Sequence, residues 1–203
     1  MATQYKLNIT NNSAQNKTFI VFQKNPNLNP WENFSLAWLS KALPANSNEV
    51  LEWSTNYGFV AGESGPLQPG ARFRTSEITN CDPSSQNKVE ASFSRGRCSL
   101  SAARPGGQPG QLTLVTNSFN PFETEYAAGI AMSNAPVIVT HVQPNMNYVY
   151  SPDMEYWIAY GNYENGQVLS TNVPNAARIE FPKGKNAMNV VLNPNGQFTI
   201  IPA

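Results

Sequence analysis

Sixteen prolines and thirteen glycines interrupt this chain of 203 residues at short intervals. Few stretches between them are long enough for the three turns that make a helix durable in water. Helix below about 10% follows, well under the 30–35% of an ordinary globular domain. What lies between the breaks reads as strand. Residues 5–10 alternate apolar Tyr5, Leu7 and Ile9 with polar neighbours, and a turn over 11–16 leads into 18–23, which predicts an N-terminal hairpin. Short β-like runs follow at 50–55, 57–61, 72–78, 88–94 and 112–116, then at 125–132, 136–142, 148–150 and 155–160. The last pair, 188–192 and 197–201, flanks Asn193-Pro194-Asn195-Gly196, whose Asn-Gly step supplies the positive φ values of a tight hairpin. Residues 35–43 stay open between helix and irregular strand, because Leu36, Leu39 and Leu43 fall at helical spacing. About a dozen short strands without alternating helices predict an all-β fold, an antiparallel β-sandwich spanning 1–203 as one domain. No fixed-period repeat points to a propeller or solenoid.

Charged side chains make up 13% of the chain, and 13 basic residues balance 13 acidic ones. The usual charged share is about 25%, so the surface is largely uncharged and polar. With no cluster of Lys or Arg, the electrostatic footprint of nucleic-acid binding is missing. A net charge near zero removes mutual repulsion and makes a homo-oligomer an open expectation. The opening residues carry no basic segment followed by an apolar run, and no later stretch matches a membrane span; a cytoplasmic location is expected, non-classical release being compatible. Cys81 and Cys98 lack CxxC spacing and read as free thiols. The N-x-S/T triplets at Asn8, Asn11, Asn16 and Asn33 follow from an Asn-rich composition.

Three stretches carry a family resemblance. They are Asn11-Asn12-Ser13 through Phe19-Ile20-Val21-Phe22-Gln23; Ser35-Leu36-Ala37-Trp38-Leu39 with Trp53 and Tyr57; and Gly129-Ile130-Ala131-Met132-Ser133 through Gln143-Pro144-Asn145 to Tyr156-Trp157-Ile158-Ala159. In these the chain resembles the bacterial and fungal proteins related to the rhizosphere-expressed protein RhiA. The resemblance implies a quorum-regulated or abundantly expressed protein of unknown biochemical activity, and it carries over no site residues. It is thinnest across residues 81–110.

Local motifs give no chemistry. Gly62-Glu63-Ser64-Gly65-Pro66 is similar to the nucleophile loop of trypsin-like proteases, but the one histidine, His141, follows the serine instead of preceding it. Pro66 also stands where a Gly-x-Ser-x-Gly elbow needs glycine, so a Gly-Pro turn is the simpler reading. Ser85-Gln86-Asn87-Lys88 matches Ser-x-x-Lys without its companion motifs. His141 shares strand parity with Val137 and Val139, which predicts a hydrogen-bonded or sheet-edge histidine. One histidine and the aspartates Asp82 and Asp153 leave no metal-ligand set, and Gly106-Gly107-Gln108-Pro109-Gly110 lacks the Lys-Ser/Thr of a phosphate loop and reads as flexible. No catalytic residue, metal or cofactor is assigned.

The enrichment with functional potential is aromatic: Trp31, Trp38, Trp53, Tyr57, Tyr156, Trp157, Tyr160 and Tyr163. Neighbours on a strand face opposite ways, so Tyr156 and Trp157 cannot both enter one sheet interface. Either ordinary packing takes them all, or one of that pair stands out with Tyr160 or Tyr163 to stack on a sugar, a planar ligand or another subunit. Tyr156, Trp157, Tyr160 and Tyr163 are accordingly the ligand-binding candidates. The leading expectation is a non-catalytic protein that binds a glycan, a small apolar ligand or its own copies. The alternatives are a membrane-active, toxin-like sandwich, which no N-terminal amphipathic helix supports, and an enzyme with a cleft assembled from scattered residues.

Overall fold

The computed structural model describes residues 2–29, 32–63 and 65–203. Seventeen strands run in chain order: β1 (Gln4–Asn11), β2 (Lys17–Lys24), β3 (Asn33–Ser35), β4 (Leu39–Leu43), β5 (Ser47–Ser54), β6 (Tyr57–Glu63), β7 (Arg74–Asn80), β8 (Lys88–Ser94), β9 (Arg97–Leu100), β10 (Leu112–Thr116), β11 (Tyr126–Met132), β12 (Ala135–His141), β13 (Asn147–Tyr150), β14 (Glu155–Tyr160), β15 (Ala177–Ile179), β16 (Ala187–Leu192) and β17 (Phe198–Pro202). There is no helix among the described residues. The fold is all-β, as the punctuation predicts.

Among the described residues the strands form four sheets, ordered β17-β16-β1-β5, β13-β10-β8-β9, β3-β12-β11-β6-β7 and β15-β14-β2-β4. Pairing is antiparallel except for β1 with β16 and β8 with β10. The first sheet faces the fourth: Tyr5 and Trp53 meet Tyr156, and Phe198 meets Phe19. The second faces the third, where Phe93 meets Tyr126 at 4.9 Å between ring centroids and the Tyr150 hydroxyl donates to the Ala128 carbonyl. One apolar core draws side chains from all four sheets.

One sequence expectation changes here and one open question is settled. Strands β1 and β2 do not form a hairpin, because they belong to different sheets. Their burial explains it: β1 buries Leu7, Ile9 and Asn11 on one face, whereas β2 buries every residue from Phe19 to Gln23 and needs cover on both sides. The arch between them is tied by Asn11, fully buried, whose amide donates to the carbonyls of Gln15 and Pro44. Residues 35–43 are an irregular strand rather than a helix. Leu36, Ala37 and Trp38 enter three different apolar clusters, and their N–H groups donate in turn to the carbonyls of Val137, Gln167 and Val21. This segment therefore crosses the seam between the third and fourth sheets.

The terminal hairpin is present between β16 and β17, but Gly196 alone takes positive φ (80°), with Asn193 N–H donating to the Gln197 carbonyl. The β11–β12 turn instead uses two left-handed residues, Ser133 and Asn134, as a tight hairpin requires. The connection over 161–176 runs along the outer faces of the third and fourth sheets, where Val168 closes one small cluster and Leu169 and Val173 close the other. Both faces of β14 are thereby covered.

Candidate functional site

Of the four aromatic candidates, Tyr156 and Tyr160 face the main core, while Trp157 and Tyr163 lie with the outer cluster beneath the covering connection. They do not form one surface, and all are partly buried. Tyr156 sits among Tyr5, Trp38, Trp53 and Phe181, its hydroxyl 3.5 Å from the Met132 sulfur. Burial, reinforced by Tyr5, pushes its phenol up to about 12. Tyr160 packs against Phe198, carries the Lys17 ammonium 5.3 Å over its ring and donates to the Gly196 carbonyl. Trp157 stacks on Phe22 and has the Lys24 ammonium 4.6 Å from its ring centroid. Tyr156, Trp157 and Tyr160 each already have a ring or ammonium neighbour. Trp31 lies outside the described residues.

The motifs that invited chemical readings have structural roles. His141, half-buried at the end of β12, accepts the Leu67 N–H on Nε2 at 3.0 Å and so ties the loop at Leu67 to the strand. Ser64 lies outside the described residues. The glycine-rich loop is tied to the residue just before β8: the buried Asn87 amide donates to the Gln108 carbonyl at 2.8 Å and accepts from Gly107 N–H. Among the described residues no three His, Cys, Asp or Glu side chains are grouped as metal ligands.

Cys81 and Cys98 are unbridged. Burial, with help from the Asp82 charge, pushes the Cys81 thiol up to about 12, and burial raises Cys98 against an opposing hydrogen bond from Ser76. Because the thiolate is the reacting form, native protein at pH 8 should react with Ellman's reagent at least tenfold more slowly than denatured protein. Unreduced, denatured chains should yield both thiols; a yield of none, or rapid labelling of native protein, contradicts this.

What the sequence did not expose is a cleft of about 320 Å³ at the seam of the third and fourth sheets. It lies within the range of about 300–1,000 Å³ typical of small-molecule sites. Its apolar wall comprises Pro26, Leu28, Phe34, Pro69, Ile138 and Leu169. Its polar side chains are mostly committed to the fold. Asn25 donates to the Ser151 carbonyl at 2.7 Å and accepts from Asn27 N–H; Asn33 donates to the Asn29 carbonyl and accepts from Thr140. The Ser35 hydroxyl donates to the Gln23 carbonyl at 2.6 Å, bridging the two sheets, and the Ser170 hydroxyl donates to the Asn172 carbonyl. At the mouth stand Lys24 and Glu155, cross-strand neighbours on β2 and β14 without an ion-pair contact, each touching Trp157, which is not itself part of the wall. The site is assembled from several distant segments, so no local motif announces it; none of the four aromatic candidates lines it, and Trp157 reaches it only through its contacts with Lys24 and Glu155.

Comparison with known proteins agrees with the resemblance. A profile of the RhiA family matches residues 2–203. Protein RhiA of Rhizobium leguminosarum bv. viciae is 34% identical over 206 residues, covering 99% of this chain and 87% of that protein. No solved structure gives a significant match. With the profile spanning nearly every residue and a relative at this identity end to end, the chain belongs to the RhiA family.

Proposed function

We propose that this protein acts by binding, without catalysis, a small and mainly apolar molecule in the cleft between its third and fourth sheets. The supporting observation is the cleft itself: a concave apolar wall, with polar neighbours already hydrogen-bonded within the fold and so demanding few polar groups of a ligand. The same reading moves the binding role from an exposed aromatic face to a pocket that none of the four aromatic candidates lines. Contact with a lipid surface has less in its favour. Phe122 is 94% exposed, but Glu123 and Glu125 follow it closely in the chain, and carboxylates resist burial in hydrocarbon.

Thr171 is exposed on the rim of the cleft, so Thr171→Trp obstructs it without entering the core. The neutral dye N-phenyl-1-naphthylamine is expected to brighten on binding wild type at one site, and Thr171→Trp to weaken it tenfold or more at unchanged urea midpoint. Equal binding by the two proteins, or no brightening at all, counts against the cleft. Native mass spectrometry of protein from its own source reads a retained ligand and the oligomeric state together.

A further inference from the structure

The charges at the mouth of the cleft are unequally employed. Glu155 is already engaged: its Oε1 lies 3.3 Å from Nη1 of Arg178, a guanidinium shared with Glu180, and its Oε2 accepts the Trp157 indole N–H at 3.3 Å. Lys24 is different. Its ammonium donates to the Thr171 carbonyl at 3.3 Å and rests 4.6 Å from the Trp157 centroid and 6.0 Å from that of Phe22. Among the described residues no carboxylate pairs with it. A carbonyl and two ring faces hold a lysine in place without neutralising it, and an ammonium has three N–H donors. Lys24 therefore stands held beside the apolar wall with no carboxylate in ion-pair contact, because its cross-strand neighbour Glu155 is turned to Arg178 and Trp157.

We infer that the ligand of this cleft is an amphiphilic carboxylic acid, its carboxylate on Lys24 and its hydrocarbon body against Leu28, Phe34, Ile138 and Leu169. The inference rests on the binding reading above and deepens it. The wall supplies affinity through removal of apolar surface from water, and Lys24 supplies selection among head groups. An alcohol of the same chain keeps the first contribution and loses the second. An amine keeps the first and meets like charge.

The test is calorimetric titration of octanoate, octan-1-ol and octylamine into wild type, Lys24→Gln and Thr171→Trp, with circular dichroism to establish that each variant is folded. Octanoate is expected to bind wild type at least tenfold more tightly than octan-1-ol or octylamine. Lys24→Gln should lose that margin for octanoate and leave octan-1-ol unchanged, and Thr171→Trp should weaken both. Equal binding of the acid and the alcohol, unaffected by Lys24→Gln but lost in Thr171→Trp, overturns the carboxylate and leaves the cleft as a binding site. Absence of binding by all three ligands overturns the acid, and if the neutral dye is also refused, the binding reading falls with it.

Discussion

Gly129→Ala is expected to lose more than about 4 kcal/mol of stability, an effect at the extreme of single substitutions, and to accumulate as insoluble protein. Gly129 sits in β11, bonded on one side to β12 and on the other to β6, beside a register shift at Ile130 and Ala131. A Cβ at this position would lie 2.0 Å from the Ile138 carbonyl oxygen and 2.9 Å from both the Ile138 carbonyl carbon and the Val139 Cα. These are backbone atoms of the neighbouring strand, so no rotamer change relieves the overlap and the sheet must part. Gly110→Ala provides the control, since its φ of 80° is left-handed but nothing stands within 4 Å of its Cβ. It should cost only the left-handed penalty of about 1–2 kcal/mol. A urea midpoint for Gly129→Ala at or above that of Gly110→Ala would refute the close approach of β11 and β12.

Alkali should unfold the protein through its buried phenols. Tyr156 is pushed up to about 12, and Tyr57 and the fully buried Tyr150 are raised further, in each case chiefly by burial. In the unfolded chain each phenol ionises near 10.0. Folded pKa values above unfolded ones mean that the stabilising difference is complete below pH 10 and lost as pH rises toward the folded values. The unfolded chain then sheds protons that the folded chain retains. Each group contributes a fall of about 1.4 kcal/mol per pH unit in that window, so three together approach about 4 kcal/mol per unit. Cys81, raised from 9.0 to about 12, adds to the loss from a slightly lower pH. Urea midpoints at pH 8, 10 and 11.5, read beside tyrosinate absorbance, should show a steep drop above pH 10 that coincides with late tyrosine ionisation. A midpoint that is flat to pH 11.5, with all tyrosines titrating near 10, would mean these phenols are solvated.

The site was far less legible in the sequence than the strands. Strand parity correctly separates Tyr156 from Trp157, but whether the second face of β14 is open depends on residues 161–176. That connection contains no strand pattern, yet it lays Tyr163, Leu169 and Val173 against Trp157, Phe22 and Ala159. Lys24 looks like an ordinary charge ending an apolar run. Its lack of an ion pair, and the partnering of Glu155 by Arg178, depend on which strands lie next to β14. The short strand β9, Arg97–Leu100, is missing from the sequence reading for a related reason: it shows a single buried side chain and so has almost no periodic signal.

Local chemistry determined what needs only neighbours in the chain. Prolines and glycines deny helix, alternation in β1 and β16 marks strands with one dry face, and Asn193 through Gly196 place a turn. Tertiary structure decided which strands meet. Strand β1 pairs with β16, near the far end of the chain, and not with β2 next to it, because register is set by whichever apolar faces can be buried together. The cleft, the covering of Trp157 and the unpaired Lys24 all follow from that long-range choice. Periodicity reports that a face must be buried; it carries no address for the surface that buries it.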